Sequence, residues 1–119
     1  MTYIMCEEPL SDITPQDLRK IYSGTLTEKE LATAYALSSN EFWWVEDNIY
    51  DYEEGTPEYQ EAKHIADDWC SLMEFYEEQI FDILRTEGIE IPDSGRIVVL
   101  APFMKRNGYL DGNGWWIEK

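Results

Sequence analysis

Two apolar series, each alternating steps of four and three residues, run through the middle of this chain and meet at a glycine. The first is Leu31, Tyr35, Ser38, Phe42, Val45, Ile49 and Tyr52; the second is Tyr59, Ala62, Ala66, Trp69, Met73, Tyr76, Ile80 and Ile83. A 3.5-residue average keeps each series on one side of an α-helix, as in coiled-coil-like packing. The break at Gly55-Thr56 is short, so the second rod must turn back on the first. The spacing predicts a long antiparallel helical hairpin whose arms reach about 40 Å at 1.5 Å per residue. A second stripe, Ala34, Leu37 and Trp44 on one arm and Ile65 and Leu72 on the other, predicts that further segments dock there.

Start signals agree with the periodicity. Thr14-Pro15-Gln16-Asp17 offers a cap, a proline at the first helical position and an acid in the first turn. Thr27-Glu28-Lys29-Glu30 reads as a capping box, with Leu26 and Leu31 spaced for a hydrophobic staple. Thr56-Pro57-Glu58 opens a third helix just after Gly55. Helices are expected over about 15–23, 28–54 and 57–87 of a single domain, 1–119. Gly88 ends the third. Beyond it, residues 89–92 read as extended and Asp93-Ser94-Gly95 as a turn. The β-branched run 96–100 reads as a short strand, and 102–107 as one or two helical turns closed by Gly108. Asp111-Gly112 and Asn113-Gly114 are tight-turn pairs, after which 115–117 would pair back on 97–100. The fold class is mainly α: the hairpin, an N-terminal helix, and a small irregular or β-containing C-terminal segment over 89–119.

Charge narrows the partners. The chain of 119 residues has a net charge of −16. Residues 41–90 hold sixteen acids against Lys63 and Arg85, a net of −14, whereas 96–119 are net +2. Such a field repels nucleic acid and anionic lipid and attracts basic protein surfaces. At 44% hydrophobic and 14% aromatic the chain is too apolar to be disordered. Its longest apolar run, 97–104, is far short of a membrane span. The first residues lack the basic start and apolar stretch of a signal peptide, and Cys6 and Cys70 form no CxxC pair, so a cytoplasmic protein with free thiols is expected.

Carboxylates stack on the predicted rods. Asp47, Asp51 and Glu54 follow at four and three residues beside Glu46 and Glu53; Glu74, Glu78 and Asp82 follow at fours beside Asp67, Asp68 and Glu77. Like charges four apart cost a helix about 0.2–0.5 kcal/mol each, and interleaved lysines would have avoided that. The plain reading is a solvated acidic face. The sharper one is a rigid array with Cβ atoms about 5–6 Å apart, comparable with phosphates along a DNA strand. Trp43, Trp44, Tyr50 and Tyr52 lie among these acids, an arrangement suited to arginine-rich partners. Phe42 and Tyr52 fall on the seam and are expected in the core. Trp43 faces away from both stripes and is the aromatic expected at a partner surface. The partner-binding set is thus Asp47, Asp51, Glu54, Glu74, Glu78, Asp82 and Trp43.

Catalysis finds no constellation. Glu61-Ala62-Lys63-His64 is one Glu-x-x-His element where a di-iron centre needs two, and His64 is the sole histidine. Residues 47–54 lack an EF-hand's glycine and spacing. Cys70 beside Trp69 reads as a buried, inert thiol, and acids at 7 and 8 raise the pKa of Cys6. No phosphate-binding glycine loop or nucleophile elbow is present. No enzyme activity, metal or cofactor is expected. Lys105 and Arg106 are expected to pair with the acidic helices, within the molecule or across a homodimer.

In size, charge and helicity the chain resembles phage DNA-mimic anti-restriction proteins and acidic anti-CRISPR proteins. The stretches MCEEPL, ending at Leu10, and PFMKRNGYLDGNGWW, Pro102 to Trp116, are similar to small acidic proteins carried on mobile elements of gut bacteria. The first resemblance implies an inhibitor that occupies the basic nucleic-acid channel of a defence nuclease. The second implies a mobile-element setting. Neither assigns functional residues. The alternative is a non-catalytic accessory or immunity-like module that binds a protein, or a second copy of itself, through its helical faces.

Overall fold

The computed structural model describes residues 14–109, the side chain of Tyr50 excepted. They form α1 (Pro15–Ile21), α2 (Glu28–Asn48), a 3-10 turn (Ile49–Asp51), α3 (Pro57–Thr86) and α4 (Ile97–Arg106), with no strand among them. Cys6, the turns at 111–114 and the tryptophans at 115 and 116 lie outside the described residues.

Three threonines start three helices, each by accepting a backbone N–H that the first turn cannot otherwise satisfy. Thr14 Oγ1 accepts from Asp17, Thr27 Oγ1 from Glu30 and Thr56 Oγ1 from Tyr59. At Thr27 the box is complete, because Glu30 Oε1 accepts the Thr27 N–H at 3.0 Å. The end of α3 is closed by Gly88 at φ 83°, which lets the Ile89 N–H reach back to the Leu84 carbonyl.

α2 and α3 share the largest interface in the molecule, while α1 and α4 also pack against α2. α2 is therefore enclosed rather than striped. Leu31, Ala32, Ala34, Tyr35 and Ala36 are buried, and so are the polar Ser38, Ser39, Asn40 and Glu41 that follow. Three alanines along one turn leave room for neighbouring backbones, so burial extends around the helix. α3 keeps an ordinary amphipathic stripe of Ala66, Trp69, Leu72, Tyr76, Ile80 and Leu84. Tyr76 is buried with its hydroxyl donating to the Tyr22 carbonyl at 3.0 Å, which ties α3 to the end of α1.

Two expectations are corrected. α2 stops at Asn48, not near 54: the Asn48 amide donates to the Trp44 carbonyl at 2.7 Å, occupying an acceptor of the last turn, and the chain tightens into the 3-10 turn. Asp51 and Glu54 are consequently off the helix, and Tyr52 is 46% exposed instead of in the core. The run 96–100 is not a strand. It enters α4, which continues through Pro102 and buries Leu100, Phe103, Met104 and Asn107 at helical spacing. Burying that face against α2 outweighs the β preference of Val98 and Val99.

Candidate functional site

The predicted contact residues are all at the surface, but they form two groups. Asp47 sits in the last turn of α2, Asp51 in the 3-10 turn and Glu54 in the connection to α3, and all three are exposed. Among the described residues no lysine or arginine pairs with any of them. Glu74, Glu78 and Asp82 are exposed along the second half of α3. Counted along the chain at helical rise, Glu54 and Asp82 are separated by about 40 Å. The two groups make a strip along the molecule, not one compact patch. The fold's own cations reduce the far end of that strip, since Arg85 lies 3.0 Å from Asp82 and 4.0 Å from Glu78. Both pairs are solvent-exposed and so contribute little stability.

Between the groups lies a cluster that links α2 to α3. The Cys70 thiol donates to Glu74 Oε1 at 3.7 Å, and partial burial, then the charges of Glu74, Asp67 and Glu46, push its pKa up to about 11. Cys70 is therefore a protonated, unreactive thiol at neutral pH. It also marks where carboxylates of both long helices converge. Among the described residues no group of three histidine, cysteine or acidic side chains is placed to hold a metal ion, and His64 is exposed.

Trp43 is 38% exposed and meets the Phe42 ring edge-on, centroids 5.1 Å apart. It forms one wall of a hollow of about 330 Å³ where α2, α3 and α4 meet, together with Ser39, Met73, Glu77, Arg96 and Ile97. Glu77 is the half-buried acid of this hollow. Burial raises its carboxyl pKa above the usual range, and Arg96, with Nη1 3.6 Å away, only partly counters that. Arg96 is itself held over the Phe81 ring at 5.3 Å. Ile97 and Val98 continue the apolar surface outward, 46% and 71% exposed.

Three other cations are committed to the fold. Arg106 spans Glu28 at the start of α2 and Glu87 just past α3. Lys29 donates to the Asn107 carbonyl and lies 4.8 Å from the Tyr109 ring centre. Arg19 stacks over Phe75 at 5.1 Å. Of the expected pairing of Lys105 and Arg106 with the acidic helices, that of Arg106 is present within one molecule, whereas Lys105 makes no ion pair among the described residues.

Sequence reasoning picked out Trp43 and the α3 acids but not the hollow, because Ser39, Arg96 and Ile97 meet only through the helical course of 97–106. The spacing of Leu100, Phe103, Met104 and Asn107 was the available signal. No helix among the described residues is long and apolar enough to cross a membrane. Comparison with family models, with curated proteins and with solved structures finds no match.

Proposed function

We propose that this protein is a non-catalytic inhibitor that occupies the basic nucleic-acid-binding surface of a defence nuclease, presenting carboxylates in place of phosphates. The reading takes α2 and α3 as the arms of one antiparallel hairpin that stiffens the acidic strip. One observation carries it: Asp47, Asp51 and Glu54 are exposed and have no cation of the described fold paired with them. An array left unneutralised attracts a basic surface over about a Debye length, which lengthens as salt is lowered.

The test is competition. The protein is titrated against a labelled duplex bound to each of a panel of restriction and CRISPR nucleases, at graded salt. Displacement of the duplex from at least one nuclease, weakening steeply as salt rises, is expected. Absence of displacement from all of them, or displacement indifferent to salt, overturns the reading. A second reading, an accessory module that binds a partner or another copy through helical faces, draws on the exposed Ile97 and Val98. Light scattering over a range of concentrations separates the two, a stable dimer favouring the second.

A further inference from the structure

The hollow between α2, α3 and α4 joins two features, an exposed apolar wall and a carboxylate. Its apolar wall, Trp43 and Ile97, is left 38% and 46% exposed. Glu77 brings a carboxylate whose nearest cation, Arg96 at 3.6 Å, is beyond the length of a good charge-assisted hydrogen bond. Its remaining lone pairs are open to a second donor.

We infer that this hollow receives an arginine side chain of the partner, carried on an apolar segment. The guanidinium donates to Glu77 while lying against the Trp43 indole, and aliphatic neighbours in the partner's chain meet Met73 and Ile97. Arginine suits the site better than lysine because its planar group stacks on an indole and offers several N–H donors in a fixed fork. Arg96 over Phe81 shows a guanidinium already accommodated against an aromatic ring at this junction. Charge selects the occupant: a second copy, at −16, would bring the same sign to a region where Glu46, Glu74, Glu77 and Glu78 lie close together. A cationic apolar segment is complementary to both features. The inference rests on the proposed function only in requiring a basic partner.

The probe is the peptide acetyl-Ala-Leu-Arg-Leu-Ala-amide, titrated into the full chain and followed by NMR, with citrulline in place of arginine as the neutral control. Saturable shifts of the Trp43 indole N–H and of the Met73 and Ile97 methyl groups are expected. The citrulline peptide and the Glu77→Gln variant should each bind about tenfold more weakly, the scale of one lost charge-assisted contact. Trp43→Ala should abolish saturation, and Ile97→Ser, at a more exposed position, gives the same test if Trp43→Ala fails to fold. Shifts confined to Asp47, Asp51 and Glu54, or equal affinity for the arginine and citrulline peptides, overturn the inference. If the peptide seats here while no nuclease is displaced from DNA, the hollow stands and the inhibitor reading falls. If a nuclease is displaced and these signals do not respond to the peptide, the hollow alone falls.

Discussion

The two ends of the long helices use charge in opposite ways. At the end where α3 finishes and α4 packs, cations sit where helix dipoles favour them: Arg85 in the last turn of α3, Lys105 and Arg106 in the last turn of α4. Arg106 joins Glu28, in the first turn of α2, to Glu87, just past α3, so this one base holds three elements together. At the other end α2 closes on Glu46 and Asp47 with no cation in its last turn, and Asp51, Glu53 and Glu54 crowd the connection that follows. The same residue types pair across elements at one end and stand unpaired at the other. Net charge by itself therefore says little about function; the informative carboxylates are those the fold would be no worse without.

The largest effect that tests this contrast is on the paired end. Phe103 is 1% exposed and anchors α4 in the core, with the Arg106 guanidinium 5.0 Å above its ring. Phe103→Ala should cost about 3–5 kcal/mol, as for other buried rings replaced by alanine. Urea denaturation checks it. A loss under about 1 kcal/mol would mean that α4 contributes no core, and the observed burial of its face would be wrong.

Arg106→Met is the next step down. Its two carboxylate partners are more than a third exposed, so solvent screening limits the loss to about 1 kcal/mol at neutral pH. The pH dependence carries more information. The hydrogen bond from Arg106, ahead of the smaller opposing effect of burial, holds the Glu28 carboxyl below its ordinary 4.5. A depressed carboxyl contributes stability above its unfolded pKa and loses it as pH falls through the folded one. The gap between wild type and Arg106→Met should therefore be full at neutral pH and close as the solution is acidified below 4.5. Parallel unfolding curves at both pH values, with an unchanged gap, would show that Arg106 acts through its packing on Phe103 alone.

How much of this was legible follows from what each signal depends on. The caps at Thr14, Thr27 and Thr56 are local, since each requires only a side chain and an N–H three residues on, and all three are present. The 3.5-residue repeat placed Leu31, Tyr35, Ala66, Trp69, Tyr76 and Ile80 in the core correctly. It also carried α2 too far, because Ile49 and Tyr52 keep the period after the backbone has left the helix. The asparagine at 48, able to take a last-turn carbonyl, was the overlooked stop. At 96–100 a local preference was weighed against a non-local gain: the value of burying Leu100, Phe103 and Met104 depends on α2, which no window of the sequence contains. The hollow was illegible for the same reason. Trp43 could be seen to face away from both stripes, but nothing local places Glu77 and Ile97 beside it.

The smallest effect on the fold tests the other end. In Asp47→Asn, Asp51→Asn, Glu54→Gln, two terms oppose. Removing an acid from the last turn of α2 relieves an unfavourable encounter with that helix's C-terminal dipole. Removing acids just ahead of α3 forfeits a favourable one with its N-terminus, a few residues on at Pro57. Each is worth a few tenths of a kcal/mol at exposed positions, so the sum should stay within about 0.5 kcal/mol of wild type. Displacement of DNA from the target nuclease at low salt should nonetheless fall by at least about tenfold, since three unscreened charges leave the approaching surface. Melting temperature and competition on the same preparation report both quantities. A destabilisation above about 1 kcal/mol would place these carboxylates with Glu28 and Glu87 as structural groups, and the contrast between the two ends would vanish.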